Sequence, residues 1–217
     1  YAIKKHPEYN LLPLKNFDNF PAQEKIYNVF NTENHKIINN NILSLNICLR
    51  TCINKKRIRE GKNKLTKVSY EKHFLKCIHS LVIATNEAVK NNKNVSLTVF
   101  DDHSEASSIC KIELLLNKLK CNWRVITTKV SGQGESLYEQ FDFCRDKNSL
   151  FYFCEDDYLH TRNAINEMID FYKNIYLETD SHLLIHPQEH ELIYSQINYP
   201  SYILLGEHRR WRTISHT

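Results

Sequence analysis

A chain of 217 residues is long enough for one good-sized domain, or one domain with an appendage, and a hydrophobic content of 41% with 12 Tyr and 10 Phe supports a packed core. A net charge of +4 suits an anionic ligand, but no basic run is long enough for a nucleic-acid arm, and Lys55-Lys56-Arg57 with Arg59 reads as a solvated loop. No apolar stretch approaches the roughly 18 residues of a membrane span, and none reads as a signal peptide; the expectation is a chain without a transmembrane segment, with peripheral membrane association left open.

Residues 1–40 hold Pro7, Pro13 and Pro21 with many Asn and Lys. They read as an N-terminal extension or linker carrying one short amphipathic helix, Ala22–Phe30, with Ile26, Val29 and Phe30 on one face. Residues 41–217 form the main domain. Leu43–Leu49 alternates as a strand does and ends in Arg50-Thr51, with a polar loop through Lys64 beyond it. Tyr70–Val89 is predicted helical from Tyr70, Phe74, Cys77, Leu81, Ala84 and Ala88. Val95–Phe100 is a second strand, ending in Asp101-Asp102-His103-Ser104. A helix over Ser107–Lys120 and a strand over Trp123–Thr127 lead to a loop with Gly132 and Gly134, then a helix over Leu137–Cys144. Leu150–Cys154 is an aromatic-rich strand bounded by Glu155, Asp156 and Asp157. A helix over Thr161–Ile175 follows. His182–His186 and Tyr202–Leu205 read as short strands. A turn at Gly206-Glu207 leads to another strand with Arg209, Arg210, Trp211 and Arg212.

Seven cysteines, odd in number and scattered, with Cys48, Cys77, Cys110 and Cys154 inside apolar runs, are the usage of a reducing compartment and predict a cytoplasmic protein with buried thiols. Cys48 and Cys52 lack a matching second pair, which argues against a zinc ribbon. The chain starts at Tyr1 and stops in a strand-like run, so further residues are expected at both ends of the native protein.

Strands alternating with helices of this length predict an α/β fold with a mainly parallel sheet and helices on both faces. Ligands of such sheets sit outside the carboxyl ends of the strands. Arg50-Thr51, Asp101-Asp102, the Gly132/Gly134 loop and Glu155-Asp156-Asp157 all fall there, and that shared position is the sequence's strongest pointer to a site. Three adjacent carboxylates repel one another unless a cation or hydrogen-bond donors offset them, and a hard divalent ion carrying phosphate oxygens does so. A charged turn capping the next helix is the plain alternative. Glycine lets backbone approach a ligand, though a tight turn explains the pair equally. Neither G-x-G-x-x-G nor G-x-x-x-x-G-K-[ST] occurs, so dinucleotide-binding and P-loop readings lack their main element.

From Leu43 to about His160 the chain resembles a GT-A nucleotide-sugar glycosyltransferase, close to the large family 2 type. The resemblance rests on D-D-x-S at Asp101-Asp102-His103-Ser104 and on a D-x-D-like Glu155-Asp156-Asp157, each after a strand and about 50 residues apart. It implies a GT-A-like sheet with a small mixed acceptor-side sheet, a nucleotide-binding part over 41–160 and an acceptor part over 161–217. Arg50-Thr51 would cup the nucleotide base, Asp101 would meet it beside Asp102, and Glu155 would lie near the ribose. Asp157 would hold Mn²⁺ or Mg²⁺ bridging the diphosphate, with His216 as a further ligand. Glu stands where the family's motif begins with Asp, which puts the ribose contact in question. Asp156 is grouped with the nucleotide side; residues two apart on a strand point alike, so it faces away from Glu155 and Asp157, to orient neighbours or cap the next helix. The implied base for an inverting transfer is Glu189, then Glu191. Arg209, Arg210 and Arg212 beside Trp211 suit an anionic ligand and a sugar face.

The expected activity is metal-dependent transfer from a nucleotide-sugar donor to a glycan or other hydroxyl acceptor, with no nucleic-acid partner. The rivals are a non-catalytic nucleotide- or sugar-binding domain and a nucleotidyltransferase. A remote third is a zinc metalloprotease through His186, Glu189 and His190, whose H-x-x-E-H pattern requires a helix. Pro187 and the strand-like run before it argue against that.

Overall fold

Eight residues, Ser44–Thr51, alternate buried and half-buried side chains and form strand β1. In chain order there follow α1 (Tyr70–Lys90), β2 (Asn94–Asp101), α2 (Ala106–Leu116), β3 (Trp123–Thr127), α3 (Gln133–Cys144), β4 (Leu150–Glu155), α4 (Ala164–Thr179), β5 (Ile203–Leu205) and β6 (Arg210–Arg212). The computed structural model describes residues 44–54, 69–145, 147, 149–179, 184–187, 203–205 and 210–212. Asn39–Asn166 is one compact unit, and Glu167 onwards belongs to a second.

In the first unit four strands make an all-parallel sheet in the order β3-β2-β1-β4. The fold is α/β. The crossovers from β1 to β2 and from β2 to β3 run one way along the sheet, and that from β3 to β4 runs back past β1. Right-handed crossovers therefore set α1 and α2 on one face and α3 on the other. Side chains agree. On the α3 face Phe143 meets Phe100 edge-on and Phe141 meets Phe153. On the α1 face Ile47, Leu49, Leu97 and Val99 are buried beneath the helix residues Phe74, Ile78 and Leu81.

Local chemistry sets the element ends. Ser69 caps α1, its Oγ accepting the Lys72 N–H at 3.4 Å. After Lys90 the chain reverses through Asn92 at φ 58°, a left-handed conformation that Asn tolerates. Two polar clamps join α1 to the α2 region. The Asn86 amide donates to the Lys118 carbonyl and accepts the Lys120 N–H, both at 2.8 Å. Glu71 accepts from Ser108 Oγ at 2.9 Å and pairs with Lys111 at 2.7 Å.

The half-buried His160 ring bonds Tyr152 Oη at 2.9 Å, and its backbone N–H donates to Ser80 Oγ at 2.9 Å. Burial pushes its pKa down from 6.5 to about 4. Between those values the unfolded chain binds a proton that the native chain does not, so stability is complete above pH 6.5 and is lost as pH falls towards 4. The full loss amounts to about 3 kcal/mol. Urea unfolding of the parent and of His160→Gln at pH 7 and pH 4.5 is expected to show a flatter pH dependence in the variant. Equal slopes would remove His160 from this role.

Several boundaries differ from the sequence expectation. β1 runs through Arg50 and Thr51, because both stay paired with β2, and β2 takes in Asp101. α3 starts at Gln133, so Gly134 lies inside a helix rather than in a loop. Leu184–Pro187 has no strand structure. Cys110 is exposed on α2, whereas Cys48, Cys77 and Cys154 are buried. In the second unit β5 and β6 pair antiparallel. The expected extension over residues 1–40 lies outside the described residues. Among the described residues no helix is long and apolar enough to cross a membrane.

Candidate functional site

Parallel pairing brings the carboxyl ends of all four strands to one edge, and the register aligns their last residues. Glu155 lies opposite Arg50, Thr51 opposite Asp101, and Asp101 opposite Thr127. Strand order reverses between β1 and β4, where open α/β sheets bind ligands.

Arg50 spans that reversal point. Its guanidinium pairs with the Glu155 carboxylate. The same group donates to the Gln133 carbonyl at 3.2 Å and to Ser136 Oγ at 3.4 Å, on the first turn of α3. Arg50 thus ties β1 to β4 and to α3, and Glu155 is neutralised by it while remaining 38% exposed.

Asp156 is 3% exposed. One carboxylate oxygen accepts the Thr51 hydroxyl at 2.9 Å and the Cys52 N–H at 3.0 Å, so Asp156 fixes the chain leaving β1. α4 starts eight residues later. Asp157 is exposed and makes no hydrogen bond or ion pair among the described residues. Burial, with the charges of Asp157 and Asp156 adding to it, pushes the Cys77 thiol up to about 11. Burial, with the charges of Glu155 and Asp157, also raises the Tyr158 phenol, and Arg50 opposes them.

The end of β2 is built from its own acids. Asp101, 3% exposed, accepts the Ser104 N–H on both oxygens at 3.2 Å, and burial raises its pKa despite those bonds. Ser104 Oγ accepts the Ile53 N–H at 2.7 Å, tying this turn to the segment after β1. Asp102, 7% exposed, accepts the Gly132 N–H at 3.0 and 3.2 Å. Gly132 has φ 137°, a conformation that a residue with a Cβ rarely adopts. Gly134 is different: a Cβ there would meet nothing within 4 Å.

Among the expected site residues, Arg50, Thr51, Asp101, Asp102, Gly132, Glu155, Asp156 and Asp157 come together at this edge. Arg210, Trp211 and Arg212 form β6 in the second unit. Arg209, Glu189, Glu191, His190 and His216 lie outside the described residues. His186 is in no helix, so the zinc-protease pattern lacks its helix at the first histidine. Nothing in the motifs singles out His103, Ser131 or Ser136, yet all three line the same edge. Ser131 Oγ lies 3.0 Å from His103 Nδ1. Their partnership depends on backbone angles at His103 and Gly132 that no spacing rule reveals.

Among the described residues no three His, Cys, Asp or Glu side chains form a metal cage. One open carboxylate, Asp157, fits an ion that takes its remaining oxygens from a bound diphosphate. Neither the scan against protein-family models nor the search of the curated proteins finds a match to this chain.

Proposed function

We propose that the chain is a nucleotide-sugar glycosyltransferase of the GT-A type, dependent on Mn²⁺ or Mg²⁺ and inverting. The observation that supports this best is the row Glu155, Arg50, Thr51 and Asp101 at the carboxyl edge of a parallel sheet, with open Asp157 beside it. Arg50 supplies positive charge at the reversal point. Asp156 and Thr51 hold the two strand ends in register. Asp157 would hold the metal, which would neutralise the diphosphate leaving group. Deprotonation of the acceptor hydroxyl is assigned to Glu189 or, second, Glu191. A nucleotidyltransferase is the weaker reading, because paired metal ions want more than one open carboxylate.

Thermal shift against UDP-, GDP-, CMP- and dTDP-sugars, with and without Mn²⁺, tests the proposal. One base class is expected to raise Tm by roughly 5–10 °C at a hundredfold excess over Kd, and only with metal. Free sugar released without acceptor would support transfer over nucleotidyl chemistry. Stabilisation without metal dependence would favour a non-catalytic binding domain, and no stabilisation by any nucleotide would sink the donor assignment.

A further inference from the structure

We infer that His103 contacts the nucleobase and sets base preference, its Nε2 accepting a hydrogen bond from a base that carries hydrogen on its pairing-edge ring nitrogen. This rests on the nucleotide-sugar reading of the site and adds to it a residue and a direction of selectivity.

Four observations converge on this side chain. First, Nδ1 is occupied: it lies 3.3 Å from Asp102 Oδ1 and 3.0 Å from Ser131 Oγ. A carboxylate only accepts, so the hydrogen of that contact sits on Nδ1, and in this tautomer Nε2 presents a lone pair. Second, Nε2 has no hydrogen-bond partner among the described residues, and the side chain is 47% exposed. Third, the ring's support is rigid. Asp102 is 7% exposed and held by the Gly132 N–H. Fourth, His103 has φ 56°, a conformation uncommon for a non-glycine residue and concentrated at binding sites.

Position decides what this acceptor meets. β2 and β4 are separated by β1 alone, so their ends lie roughly 10 Å apart at the usual strand spacing. A nucleotide with its diphosphate at Asp157 that runs along the strand ends spans that distance and brings its base over the end of β2. A lone pair there attracts a ring N–H, as in uracil, thymine and guanine. It repels the bare ring nitrogen that cytosine and adenine present at the same edge.

The test is isothermal titration of UDP, dTDP, GDP, CDP and ADP, each with Mn²⁺, into the full chain and into His103→Ala and His103→Phe. The parent is expected to bind one of UDP, dTDP or GDP best. Both variants should weaken that nucleotide about tenfold, the worth of one hydrogen bond with its mismatch penalty, and should tighten CDP and ADP, which lose the repulsion. Phe keeps a ring face and loses the nitrogen, so parent-like preference in His103→Phe would overturn the inference in favour of stacking. Equal weakening of all five, an unchanged preference in His103→Ala, or a parent that prefers CDP or ADP would overturn it while leaving the nucleotide site standing. A parent that binds none of the five would overturn both readings.

Discussion

Asp157→Ala is expected to lower turnover by roughly a thousandfold or more and to abolish the metal-dependent part of nucleotide binding, while Tm stays near that of the parent. Removing a metal-holding carboxylate forfeits several kcal/mol of leaving-group stabilisation, and each 1.4 kcal/mol or so is tenfold in rate. Stability is spared because Asp157 is exposed and makes no hydrogen bond or ion pair among the described residues; such surface changes stay within about 0.5 kcal/mol. Titration of UDP and GDP with and without Mn²⁺, alongside thermal unfolding, separates the two effects. Unaltered Mn²⁺-nucleotide binding in Asp157→Ala would place the metal elsewhere.

Asp156→Ala has the opposite signature. The carboxylate is 3% exposed and is the acceptor for both the Thr51 hydroxyl and the Cys52 N–H. Deleting it strands a buried hydroxyl and a backbone donor, each costing about 1–3 kcal/mol, and leaves a small void. The expected loss is about 2–4 kcal/mol, or roughly 5–15 °C in Tm for a chain of this size. Asp156→Asn retains an acceptor oxygen and should lose less than half of that. Molecules that remain folded should still bind Mn²⁺-nucleotide, because Asp156 is spent within the protein. Chemical denaturation with CD detection checks the stability. A parent-like midpoint for Asp156→Ala would show that the tie to β1 contributes nothing.

Those two neighbours show where reading by period stops. Strand alternation through Glu155, Asp156 and Asp157 predicts an outer pair facing one ligand. The strand ends at Glu155, and the turn that follows sends the three carboxylates to Arg50, to the end of β1 and to solvent. Alternation governs residues only while pairing lasts, and which carboxylate meets Arg50 is decided by a register formed 105 residues away in sequence. The elements themselves were legible, because β1, β2 and the apolar stripe of α1 carry strong period-2 and period-3.6 patterns. Gly134 reads as a loop residue because a glycine in a first helical turn looks like a loop glycine. His103 is silent in the sequence because its setting lies in a left-handed backbone and in Ser131, neither of which leaves a trace in composition.

The strand order has a kinetic side as well. Asn46 and Ser96 pair across 50 residues, and Thr98 and Arg124 across 26, but Arg50 and Glu155 close a loop of 105. Closing that last loop costs about 0.6 kcal/mol more chain entropy than the 50-residue one. As the chain leaves the ribosome, β1, β2 and β3 can zip together while β4 is still unmade. Until Leu150–Glu155 emerges, the β1 backbone from Leu45 to Arg50, destined to pair with it, is an open edge rich in buried-type residues. Such an edge is a template for any other unpaired strand, so the chain's period of greatest exposure to aggregation lies between the release of Thr127 and the arrival of Glu155.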